Sequence, residues 1–245
     1  MNIRLALFSS FALLTIVASD ISIKIEAAES DYHFLPTQSE TNIADDVYLD
    51  SLARLPQVQR DGLDATGRNA FDTYVSPGTG YETGLRGPVG VWMNSPVLAE
   101  AVFDVRQRVR YESGKDQRLT ELAIISTARE INNQYEYSAH EPLAQTAGLE
   151  AAIIDVVRFR KSLDDLPAID GLGDAEKTII RFAREVISEE KVRSETFASA
   201  LEIFGPEGVT DLTGLIGYYS FVAITLKAFD VQRPIGTELL LPVLD

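Results

Sequence analysis

The chain has 245 residues, 45% of them hydrophobic and 24% charged, a balance that supports one sizeable folded core. Its 37 acidic side chains outnumber 22 Lys and Arg, and the resulting formal charge of -15 repels nucleic-acid backbones and anionic membrane surfaces, so neither is an expected partner. There is no cysteine in the sequence, which excludes disulfides and thiol chemistry.

Met1 to Arg4 is a short positive start, Leu5 to Ala18 is a largely apolar run, and small or polar residues follow. The pattern predicts a secretory signal cleaved after Ser19, with Val17 and Ser19 at the small-residue positions, and therefore an exported protein, or a membrane-anchored one if it stays uncleaved. From about Asp20 to Pro56 the sequence is polar and weakly periodic and reads as an extended arm, of the kind a neighbouring subunit often orders. Ser76 to Val91 contains Pro77, Gly78, Gly80, Gly84, Gly87, Pro88 and Gly90 and reads as a loop between helical segments, able to line a pocket.

The helical pattern then becomes clear. Ser95-Pro96 starts a helix whose Val97, Leu98, Ala101, Val102, Val105 and Val109 recur at three- and four-residue spacing, and Gly114 can end it. A second helix is predicted from about Asp116 to Ile131, with Leu119, Leu122, Ala123, Ile124 and Ala128 inward. A third runs from about Gln134 to Thr146, kinked or restarted at Pro142 and ending at Gly148. Glu150 to Arg160 makes a fourth, Asp174 starts a fifth, Ser194 to Phe204 makes a sixth before Gly205-Pro206, and an aromatic-rich last one spans about Val209 to Phe229. No segment alternates with a period of two over a useful length, so the expected fold is all-α. The expected organisation is a signal peptide (1–19), an extended arm (20–56), a helical domain (57–234) and a C-terminal tail (235–245).

His140 is the residue of this domain suited to move a proton near neutral pH, since the other histidine, His33, lies in the arm. Glu136 lies one helical turn before it on the same face, where it can orient the imidazole, and a buried Glu121 could retain a proton and act as an acid. Each has a plainer alternative. Asn133 followed by Glu136 has the form of a helix N-cap with a glutamate reaching back, His140 can be a satisfied core histidine, and Glu121 can be a surface residue. One histidine and two carboxylates are a weak case for a metal site, so no metal is expected, and no phosphate-binding or nucleophile motif points to a cofactor. Trp92, Tyr135, Tyr137, Tyr218, Tyr219 and Phe221 could wall a pocket or simply fill the core, and Arg86, Arg110 and Arg129 could anchor a carboxylate or sit on the surface.

The segment from Leu119 to Gly148, with Gly87-Pro88 and Ser95-Pro96 upstream, resembles the carboxymuconolactone decarboxylase and alkylhydroperoxidase D-like (AhpD-like) superfamily, over Leu52 to about Pro234. The resemblance implies an all-α AhpD-like domain that assembles into homo-trimers or homo-hexamers. In the peroxidase branch a glutamate, two cysteines and a histidine form a redox relay; Glu121 and His140 fall on the glutamate and histidine positions, but Asn133 and Glu136 stand where the cysteines would be. Thiol peroxidase activity is thus not expected, and the decarboxylase branch is the better match. It implies cofactor-free acid-base chemistry, a decarboxylation or related lyase or isomerase step on a small carboxylated ring or lactone. The catalytic set would be His140, Glu136 and Glu121, and the substrate-binding candidates Asn133, Tyr137 and Trp92. A non-catalytic or small-ligand-binding oligomer on the same scaffold is the alternative. A cavity beside His140 shared with Glu121 would favour the enzyme; a solvent-facing histidine without one would remove it.

Overall fold

The fold is built around a helix that is buried on every side. In a computed structural model, which describes residues 32–39, 43–114 and 116–244, this helix is α4, Gln117–Glu130, and every residue from Thr120 to Arg129 in it is buried. The Asp116 carboxylate caps it by accepting from the Leu119 N–H at 2.7 Å. A helix buried all round must be covered on all sides, and α4 is packed by α5 (Gln134–Thr146), α7 (Asp174–Ser188) and α8 (Ser194–Ala228), with α6 (Ala151–Arg158) completing the layer. The remaining helices, α1 (Ala65–Tyr74), α2 (Gly87–Trp92) and α3 (Pro96–Gln107), form a smaller layer that meets the first through α8. The expected signal peptide, residues 1–19, lies outside the described residues.

Three local features depart from the pattern in the sequence. Pro142 does not break α5, which runs unbroken to Thr146. A proline cannot donate to the carbonyl four residues back, and the Ser138 carbonyl it leaves open accepts instead from Arg233 Nη2 at 3.4 Å. The apolar stripe of α3 is not its buried face: Ala99, Val102 and Arg106 are buried, while Val97 is 70% and Val105 48% exposed. Beyond Gln107 the helix widens into a π-turn, Arg108–Glu112, and ends before Gly114, whose φ of 74° is the left-handed conformation a glycine adopts at little cost. The glycine-rich loop also holds α2 near its end, a short helix the turn residues had concealed.

At Gly205 (φ 66°, ψ 175°) α8 bends, which splits it where Gly205-Pro206 predicted a boundary. By length and hydropathy α8 is, among the described residues, the one helix able to cross a membrane, yet 61% of its apolar window is buried in the protein, as suits a core helix. The described part of the N-terminal arm makes contacts with its own chain. Tyr32–His33 (β1) pairs antiparallel with Val243–Leu244 (β2), and Gln38 exchanges backbone hydrogen bonds with Gly236 and Thr237. This two-stranded ladder is the small exception to an otherwise helical fold.

Candidate active site

The α4–α5 connection sets the geometry. Asn132 takes a positive φ of 57°, Asn133 caps α5 by accepting from the Glu136 N–H at 2.9 Å, and the Asn133 N–H is satisfied by the Ala128 carbonyl at 2.8 Å. With that N–H already bonded, the Glu136 side chain has no cap to return to. It turns instead to His140, one turn along α5, where Glu136 Oε2 lies 3.4 Å from His140 Nε2. The other ring nitrogen reaches α4, with His140 Nδ1 2.7 Å from Glu121 Oε2. Glu121 is gripped from its far side by Arg110 Nη2 at 3.0 Å, and Arg110 Nη1 donates to the Tyr219 hydroxyl at 2.9 Å. The Tyr219 ring stands edge-on to the imidazole, centroids 5.1 Å apart.

All three acid-base residues are buried: His140 is 6%, Glu136 5% and Glu121 3% exposed. Burial alone would lower the imidazole's pKa, but the charge of Glu121 and the hydrogen bonds that both carboxylates accept outweigh it, and His140 is held above its ordinary value. Burial likewise works to raise Glu121, but the charge and hydrogen bond of His140, with those of Arg110, carry it below the usual carboxylate range. These partners favour the anionic form of Glu121, against the proton-retaining form that its burial alone favours. The order is Arg110, Glu121, His140, Glu136, and all but Glu121 reach open space.

That space is a cavity of about 480 Å³, walled by His140, Glu136, Ala139 and Leu143 of α5, by Tyr218, Tyr219 and Val222 of α8, and by Arg106, Arg110 and Tyr111 from α3 and its π-turn. Gly80, Tyr81, Arg86 and Pro88 of the glycine-rich loop and Arg233 of the tail close it. A larger cleft of about 720 Å³ shares Tyr135 and Arg233 with it but contains neither His140 nor the two glutamates. Among the described residues no group of three or more His, Asp and Glu side chains is arranged to hold a metal ion.

The three substrate-binding candidates of the sequence lie elsewhere. Asn133 faces the larger cleft and acts as the α5 cap. Tyr137 is fully buried in the core, near Glu141 and Arg158. Trp92 is buried as well, stacked on Phe221 at 5.1 Å, and its indole N–H donates to Thr225 Oγ1 at 2.9 Å. Arg129 is likewise remote, bound to the Pro242 carbonyl at 2.6 Å. Arg86, Arg110, Tyr135, Tyr218 and Tyr219 do line the cavity, and so do Tyr81, Arg106, Tyr111 and Arg233, which the sequence did not single out. A signal for Arg106 was present: it lies four residues before Arg110, one helical turn away, the spacing that can bring two side chains to one face.

The sequence matches no protein-family model, and no curated protein matches it. Solved structures do match. A protein of unknown function from Agrobacterium tumefaciens, described as a putative antioxidant defence protein AhpD, superposes with a TM-score of 0.52 at 17% identity, covering 61% of this chain and 99% of its own. The chain has the AhpD-like fold. The debrominase Bmp8 shares it: a cysteine-to-alanine variant in complex with 2,3,4-tribromopyrrole gives a TM-score of 0.55 at 16% identity over 72% of this chain and 89% of its own, and the apo form gives 0.53 at 15%. In this AhpD-like chain a carboxylate, Glu136, faces His140 across the cavity wall, and no thiol is available anywhere in the sequence.

Proposed function

We propose that the protein is a cofactor-free acid-base enzyme that decarboxylates, or moves a proton on, a small carboxylated ring or lactone. The observation that carries the reading is the placement of His140 between two glutamates, with Nε2 and Glu136 Oε2 on the cavity wall and Glu121 behind. In a decarboxylation the bond from carbon to carboxylate breaks, carbon dioxide leaves, and the electron pair moves into a conjugated carbonyl to give an enolate. A proton from the His140 imidazolium, directly or through Glu136, then quenches the carbon, and solvent restores it. In an isomerisation Glu136 takes the proton first and returns it to a different carbon. Glu121 acts through the histidine, favouring its charged form and fixing its orientation, and Arg110 positions Glu121 from behind. Export by the predicted signal and assembly into a homo-oligomer are part of the same proposal. The test is turnover of a panel of carboxylated lactones and conjugated ring acids by the wild-type protein, His140→Ala and Glu136→Gln. Loss of turnover in both variants is expected; equal turnover in all three would sink the assignment.

A further inference from the structure

The cavity holds more positive charge than its own carboxylates answer. Glu121 and Glu136 balance Arg110 and His140. Arg86, Arg106 and Arg233 make no ion pair with any described carboxylate, in a chain whose formal charge is -15. Arg106 is the telling case, because it is only 3% exposed. Its guanidinium is held by neutral groups alone: Nη2 donates to the Thr79 carbonyl at 2.8 Å and to the Tyr111 hydroxyl at 3.1 Å, and Nη1 to Gln107 Oε1 at 3.0 Å. Arg106 and Arg86 both stand over the ring of Tyr81, at 5.5 and 5.3 Å from its centroid, and Arg233 stands 5.4 Å from the centroid of Tyr135. Two guanidinium nitrogens of the same wall, Arg110 Nε and Arg233 Nε, are buried without a hydrogen-bond partner. A buried, unanswered guanidinium is unfavourable unless an anion joins it. The planar fork of arginine suits a carboxylate, and the ring-lined walls suit a conjugated skeleton.

We propose that Arg106, with Arg86 and Arg233 at the rim, forms the anion-recognition wall of this cavity, which takes a conjugated ring acid by its carboxylate. The inference deepens the acid-base reading of the same cavity, but its test reads binding and needs no turnover. Benzoate and its neutral isostere benzamide are titrated by calorimetry into the full-length protein, with thermal shift as a second readout. Benzoate is expected to bind at least about tenfold more tightly than benzamide, and less tightly as salt is raised. Arg86→Gln and Arg233→Gln should each lower benzoate affinity several-fold while leaving the circular dichroism spectrum intact, and Arg106→Lys should lower it further. Equal affinity for the two probes, no saturable binding of benzoate at millimolar concentration, or rim variants that bind like wild type would each overturn the proposal. A Glu136→Gln protein that loses turnover yet still prefers benzoate separates this inference from the acid-base one.

Discussion

In the proposed reaction His140 is the residue on which acid-base chemistry and stability meet, because its charged form is favoured by partners that also define its place. Its pKa is raised in the fold, so its contribution to stability is complete below the free imidazole value of about 6.5 and is lost as pH rises through the folded value. Glu121 is depressed, so its contribution is present above the free carboxylate value of about 4.3 and is lost as pH falls through the folded value. The stability gap between wild type and His140→Gln should therefore be widest at about pH 5–6, on the order of 3 kcal/mol, and narrow toward alkaline pH. Denaturant melts across that range measure it, and a gap that stays constant to high pH would contradict the charged pair. Glu136→Gln should lower kcat by roughly 10²- to 10⁴-fold on any substrate found, since an amide cannot accept the proton. The pairing of Glu136 with His140 was readable from their spacing. The competing cap was half right: Asn133 caps α5, but the glutamate does not reach back.

Among the elements, α5 and the glycine-rich loop position the cavity wall. Asn133→Ala should cost about 1 kcal/mol through loss of the α5 cap, read as a shift in the unfolding midpoint. Gly87 has a φ of 59°, and a Cβ there would lie 2.6 Å from Tyr135 Oη. Gly87→Ala should therefore displace Tyr135 from the wall and weaken ligand binding, and a second change, Tyr135→Phe, should recover part of that loss by removing the clashing hydroxyl. No recovery in the double variant would place the damage in the backbone alone. Helix ends were legible because capping is local: Asp116, Gly114 and Gly205 each act where they stand in sequence. The buried face of α3 was not. Its stripe of Val97, Leu98 and Val105 has helical period, but periodicity identifies an apolar face without saying whether the core or another surface covers it.

For the molecule as a whole, that uncovered stripe bears on the proposed assembly. A homo-oligomer is expected to bury apolar surface such as Val97, Leu98 and Val105. Light scattering on wild type and on Val97→Lys with Val105→Lys should show the variant falling to a smaller species; an unchanged mass would remove this face from the assembly. Charge is distributed as unevenly as apolarity, since an acidic exterior surrounds a cavity bordered by four arginines. The long-range field of such a charge repels polyanions, while the proposed site for a small anion lies within the cavity.

By itself the sequence determined the all-α class, most helix boundaries from Ser95 onward though not α1 or α2, the absence of thiol chemistry and the pairing of Glu136 with His140, because composition, capping and one-turn spacing are properties of neighbouring residues. Only the tertiary structure brought Glu121 and Arg110 to the other side of the imidazole, lowered the pKa of Glu121 against its burial, kept Trp92, Tyr137 and Asn133 out of the cavity, and put Arg106, Tyr111 and Arg233 into it. Those residues come from α2, α3 and its π-turn, α4, α5 and the tail, and what each does is set by the partners across the packed core, which no local pattern encodes.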